Sequence, residues 1–129
     1  MPRFVVLLHE TPAGYSRPAH FDLMLEHRGV LRTWALDRLP EAGRPALAER
    51  LPDHRPIYLD YEGEIAGDRG RVTRQEAGEY DVASDTVTRL AVVIRGGKLS
   101  GTLILEQASE EPHLWRVSLA SGDATSSSG

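Results

Sequence analysis

The chain has 129 residues, of which 40% are hydrophobic and 26% charged, with a formal net charge of −4; this is the size and make-up of one globular domain. It contains no cysteine, which excludes a disulfide framework, a thiolate zinc or iron–sulfur site and a cysteine nucleophile, so any metal must be held by nitrogen and oxygen. The longest apolar run near the start, Phe4 to Leu8, is too short for a bilayer span or a signal sequence, and a cytoplasmic protein with no membrane partner is expected.

In chain order, Phe4–Leu8 predicts a short strand, and Glu10–Ala19, with Pro12, Gly14, Ser16 and Pro18, predicts a loop. His20–Glu26 alternates: Phe21, Leu23 and Leu25 fall on one face, and His20, Asp22, Met24 and Glu26 on the other. A turn at His27-Arg28-Gly29 joins this strand to a second, Val30–Leu36. Ala42–Leu51 predicts one short helix, because Pro45 stands near its start and Leu47, Ala48 and Leu51 recur at helical spacing. Ile57–Tyr61 reads as a strand and Gly63–Gly70 as a loop. Val87–Arg95 and Lys98–Glu106 flank Gly96-Gly97, the strongest hairpin signal in the chain. Leu114–Leu119 is the last strand, and Ser121–Gly129 reads as a disordered tail. Many short strands with one or two short helices predict a mainly β fold: a small closed antiparallel barrel over residues 1–120.

Two residues apart on one strand, His20 and Asp22 project from the same face, and His9 follows the first strand at its end. Two imidazoles and a carboxylate suit Mn²⁺, Zn²⁺ or Fe²⁺. A hairpin whose polar face simply meets solvent, continued by Glu26 and Arg28, is the alternative. A facial triad would need its distal histidine from His54 or His113. His54 lies in Asp53-His54-Arg55-Pro56-Ile57-Tyr58, where it is a candidate general acid or phosphate donor and Arg55 a candidate phosphate fork. His27 and His113 read as solvated, and Trp34 and Trp115 as core. The polar stretches Asp60–Gly63 and Gly67–Gly70 lack any nucleotide-cradle pattern.

His9, then HFDLMLE, GVLRTWAL, LPDHRPIYLDYEGEI and GGKLSGTLIL, occur in an order that resembles the 3′-phosphoesterase domain of bacterial DNA ligase D, from about Arg3 to Leu119. The resemblance implies a compact β-barrel and a Mn²⁺-dependent hydrolase that removes a 3′-terminal ribonucleoside, then a 3′-phosphate, from DNA or primer-template. It implies that His9, His20 and Asp22 hold the metal (Mn²⁺, with Zn²⁺ or another divalent ion as alternatives) and that His54 and Tyr58 contact the scissile phosphate. The partners implied are nucleic-acid 3′ ends and a separate DNA ligase or repair polymerase, and the chain reads as a divergent stand-alone member.

Three features depart from the family pattern. His20 stands eleven positions after His9 where the family has a spacing of six, so the Pro/Gly loop must bulge out. The loop after Glu62 is shorter. The family's strand continues HxDxR, and here Met24 stands at the arginine position. Arg55, Arg17 or another arginine then serves the phosphate, or the barrel binds nucleic-acid ends or a repair partner with little or no turnover. A third reading is a phosphoesterase for another phosphorylated substrate.

Overall fold

The computed structural model describes residues 2–15 and 17–120, apart from the Lys98 side chain; the segment 121–129, expected as a tail, lies outside the described residues. The strands are β1 (Arg3–Glu10), β2 (His20–His27), β3 (Val30–Leu36), β4 (Ala46–His54), β5 (Gly63–Glu64), β6 (Arg71–Asp85), β7 (Arg89–Arg95), β8 (Gly101–Gln107) and β9 (Leu114–Ala120). They pair antiparallel in the order β1-β2-β3-β4-β9-β8-β7-β6, and β6 returns to β1, which closes an eight-stranded barrel; β5 hangs on β6 outside the ring. Closure removes every sheet edge except the short one at β5. No helix among the described residues is long and apolar enough to cross a membrane.

The period-two pattern sorts the wall into two apolar layers. Phe4, Val6, Leu23, Leu25, Trp34, Leu36, Leu103, Leu105 and Val117 fill the barrel interior. Burying one such Leu stabilises by about 1.5–3 kcal/mol. Trp34 and Trp115 meet edge-on at 5.7 Å inside it, as the sequence predicts. The opposite face of β1, β2 and β3 carries a smaller cluster of Val5, Leu7, Met24 and Leu31, covered by Leu59 and Val72 and flanked by Tyr58, Tyr61 and Ile65.

β6 is the longest strand and was not legible from the sequence. Its first half pairs with β1 and its last residues with β7. Gly78 stands where it passes between them: a Cβ there would fall 2.1 Å from the Arg95 carbonyl oxygen, so only glycine permits the approach.

Three sequence expectations are corrected. Ala42–Leu51 is no helix. Its second half opens β4, with Ala46 and Ala48 in the core and Leu47 exposed. The segment fills the seam between β3 and β9, and the ladder bonds and core contacts that close the barrel override its helical propensity. Ile57–Tyr61 is not a strand: Pro56–Leu59 forms a 3₁₀ turn. Pro56 sits at its first position, where a missing N–H costs nothing and the fixed φ suits the turn. The β7–β8 link is longer than the two glycines. It runs through a 3₁₀ turn at Gly97–Leu99, although Gly96 and Gly97 do take positive φ, at 129° and 64°.

Candidate metal and phosphate site

Strand register assembles the polar cluster. β1 and β2 pair His9 with His20, Leu7 with Asp22 and Val5 with Met24, so these residues share the outer face of the wall. The chain leaves the sheet after Glu10 and returns at His20, and the eleven-residue spacing is absorbed by the loop between them. The His9 and His20 rings lie 4.8 Å apart, and one ligating atom from each of His9, His20 and Asp22 falls within 4.8 Å of the others. His20 and Asp22 are buried, at 7% and 4% exposure.

Backbone carbonyls decide which nitrogens face inward. His20 Nδ1 lies 2.8 Å from the Pro18 oxygen, and His9 Nε2 lies 2.8 Å from the Arg69 oxygen. A carbonyl can only accept, so each of these nitrogens carries the proton. In the neutral rings, His20 Nε2 and His9 Nδ1 therefore present lone pairs. Those atoms stand 3.1 Å and 3.4 Å from the two Asp22 oxygens. Lone pairs facing a buried carboxylate repel unless a cation lies between them, either a proton or a metal ion. Asp22 Oδ1 accordingly has no hydrogen-bond partner when His20 is neutral. Outer carbonyls that orient histidine ligands are the usual support of metal sites, and the donor set suits Mn²⁺ or Zn²⁺.

The same groups are coupled through protons. A hydrogen bond to Asp22 raises the His9 pKa above its ordinary value, against an opposing effect of burial. Burial pushes the Asp22 carboxyl up, but hydrogen bonds and charge from His20 and His9 outweigh it and hold the group below the usual carboxylate range.

His54 reaches this face through a bulge. Thr33 pairs with Leu51, but Leu31 pairs with His54, so Pro52 and Asp53 together oppose the single residue Arg32. An uninterrupted ladder would have set Asp53 opposite Leu31. The extra residue instead turns His54 to the side of Met24 and Leu31. Pro52 stands where a missing N–H breaks no ladder bond, and its carbonyl oxygen lies 2.9 Å from His54 Nδ1, which leaves Nε2 outward. Pro18-Ala19-His20 and Pro52-Asp53-His54 thus use one device, a proline carbonyl two residues before the histidine. The 3₁₀ turn then sets the Tyr58 ring 5.8 Å from the His54 ring, edge-on.

His9, His20, Asp22, His54, Tyr58 and Arg17 line one cavity of about 240 Å³, together with Met24 and Arg69. Arg17 is held by Glu49 at 2.6 Å, which raises its pKa and keeps the carboxylate below its ordinary value. Arg55 does not line this cavity; it stands at the mouth of the next one, beside Tyr58, Tyr61 and Arg69. His27 and His113 line neither. A larger, more open hollow of about 710 Å³ between Glu10, Glu64 and Asp68 holds no histidine, so size does not mark the site here.

Sequence reasoning missed Arg69. Its Nε–H donates to the Ala66 oxygen at 2.8 Å and its carbonyl holds His9, while no acidic side chain pairs with its guanidinium among the described residues. Gly70 beside it has φ +98°, and a Cβ there would lie 2.0 Å from the Glu10 oxygen, so the loop presses directly on the end of β1. The only signal was an arginine among glycines and acids, and nothing local distinguishes that from a solvated turn.

A closed antiparallel barrel with a two-histidine, one-aspartate cluster on its outer wall, next to a histidine–tyrosine pair and two arginines, defines the architectural class. Residues 9–107 match the DNA Ligase D 3′-phosphoesterase domain family, and the chain belongs to that family. It is 33% identical over 100 residues to the multifunctional non-homologous end joining protein LigD of Mycobacterium bovis, and equally to the multifunctional non-homologous end joining DNA repair protein LigD of Mycobacterium tuberculosis. Each match covers 70% of this chain but only 13% of the relative. Family membership places the chain among 3′-phosphoesterase domains of the kind found in DNA ligase D.

Proposed function

We infer that the protein is a divalent-metal-dependent phosphoesterase that removes a 3′-terminal ribonucleoside, and then the 3′-phosphate, from DNA or primer-template ends. The observation that carries this reading is the pair of carbonyl-anchored histidines turned lone pair first onto a buried Asp22, in a cavity shared with His54 and Tyr58. His9, His20 and Asp22 would hold Mn²⁺, or Zn²⁺ in its place. Bound there, such an ion supplies charge to polarise a phosphoryl oxygen and to acidify a water.

The chain's own groups do the rest. His54, anchored through Nδ1, offers Nε2 to a phosphate oxygen, and Tyr58 offers its hydroxyl from one turn further on. Protonated, His54 can also deliver a proton to the departing oxygen. Arg17 brings positive charge to the cleft from the β1–β2 loop, with Glu49 fixing its direction, and Arg55 adds charge at the mouth. In hydrolysis the bond from phosphorus to the 5′ oxygen of the terminal nucleoside breaks, a bond to the water oxygen forms, and one proton reaches the leaving oxygen. The implied partners are 3′ ends of DNA or RNA–DNA primers, with a DNA ligase or repair polymerase acting after them.

Purified protein supplied with Mn²⁺ should shorten a primer ending in one ribonucleotide and then release its 3′-phosphate, and His20→Ala should abolish both. Undiminished activity in that variant would remove the site assignment. Met24 favours one other reading, a barrel that binds ends without cleaving them, because it is an apolar side chain at the family's arginine position. Arg17 and Arg69, which line the same cavity as His54, weigh against it. Tight primer binding with no product at any Mn²⁺ concentration would support it.

A further inference from the structure

A second cavity of about 240 Å³ adjoins the histidine cleft and shares Tyr58, Ile65 and Arg69 with it. The two spaces are thus immediate neighbours, bounded by the same three residues. Its walls are of three kinds. Tyr58 and Tyr61 stand perpendicular with ring centres 6.0 Å apart, and Ile57 beside them is 57% exposed despite being apolar. The Tyr61 hydroxyl donates to the Glu64 carbonyl, which holds that ring in place. Arg55 and Arg69 border the cavity, neither paired with an acid among the described residues, and Glu64, an exposed acid, lines it as well.

We propose that this second cavity is the subsite for the terminal nucleoside, and that Glu64 restricts it to a single unit with no phosphate beyond. The proposal rests on the phosphoesterase reading above. A nucleobase has a flat π face and polar edges, and aromatic rings with flanking guanidinium groups are the surfaces that hold such a group without reading its identity. A ribose hydroxyl can donate to a carboxylate, whereas a further phosphodiester would meet it as a like charge. Glu64 thus separates a terminal nucleoside, uncharged past the scissile bond, from an internal one. Neither half of this arrangement uses the metal cluster.

The test compares two primers identical up to the scissile phosphate, one ending in a ribonucleoside and one in a bare 3′-phosphate. Ile57→Ser and Glu64→Gln change exposed side chains outside the histidine cleft. Each should lower kcat/KM on the first primer about tenfold while leaving the second within about twofold. Parallel losses on both primers, or no loss on either, would overturn the subsite. Glu64→Lys should also permit cleavage one bond further in, releasing a dinucleotide, where the parent protein should release only the terminal nucleoside.

Adenosine titrated into the protein without metal supplies a readout independent of turnover. The amide resonances of Ile57, Tyr61 and Glu64 should shift, and the shifts should vanish in Ile57→Ser. If neither primer is processed yet these resonances move, the nucleoside subsite stands and the phosphoesterase reading falls. If they stay still, the subsite is wrong whatever the activity.

Discussion

The two faces of β2 carry opposite kinds of side chain. Inward, Phe21, Leu23 and Leu25 pack into a continuous apolar interior to which eight strands contribute. Outward, His20, Asp22 and Met24 occupy the same stretch of chain but face a thin layer closed by one 3₁₀ turn and two tyrosines. One backbone supplies both, because successive residues of a strand point oppositely. The inner face is secured by area and close packing. The outer face gathers a buried carboxylate and two histidines that need a proton or a metal ion between them, and the rest of the wall supplies the stability that holds them together. A rigid wall also suits the chemistry, since ligands set on neighbouring strands keep their spacing.

Substitutions on the two faces should therefore separate function from stability. His20→Ala or Asp22→Asn should abolish Mn²⁺ uptake and primer cleavage, and Asp22→Asn, which takes away a buried charge, should lower the urea midpoint of the metal-free protein less than a large-to-small change in the apolar interior does. Midpoint and metal content, measured on the same preparation, check this. Leu25→Ala, fully buried on the inner face, should do the reverse. It should cost about 2–5 kcal/mol, visible as a lower urea midpoint, while the folded fraction still binds Mn²⁺.

Arg69→Ala falls between these extremes. Arg69 lines the cavity with His54 and Tyr58 and has no acidic partner among the described residues, and its loss should lower kcat/KM about 10- to 100-fold with metal content unchanged. Arg17→Ala should cost less, because Glu49 already occupies that guanidinium. A loss in Arg17→Ala larger than that in Arg69→Ala would reverse the order of the two cations.

The smallest effect concerns the Arg17–Glu49 pair, which lies at the rim. Arg17 holds the Glu49 carboxyl below its unfolded pKa, so its stabilisation is present above the ordinary carboxylate value and is lost as pH falls through the folded one. Glu49→Gln should lower the denaturation midpoint slightly at neutral pH, within the small range of exposed ion pairs, and not at all once the carboxylate is protonated. An equal shift at both pH values would point to lost packing instead.

Much of the fold follows from local pattern. Alternation in HFDLMLE, the turn after it and the following VLRTWAL set β2, β3 and the identity of their two faces, because side-chain period in a strand is a property of the chain alone. The absence of cysteine and the strand spacing made His9, His20 and Asp22 candidate ligands, while the phosphate roles of His54 and Tyr58 came from the resemblance to the phosphoesterase family. Other decisions were not local. A helix-like Ala42–Leu51 became β4 because two strands needed a partner to close the ring. His9 met His20 because of the β1–β2 register, and His54 turned to the outer cleft because Pro52 and Asp53 bulge against one residue of β3. Arg69, which looks like any loop arginine in the sequence, became part of the site when its carbonyl caught His9. Residue types and strand period are written in the chain, while register, bulge and loop placement depend on segments far apart in sequence, and only the closed barrel brings those together.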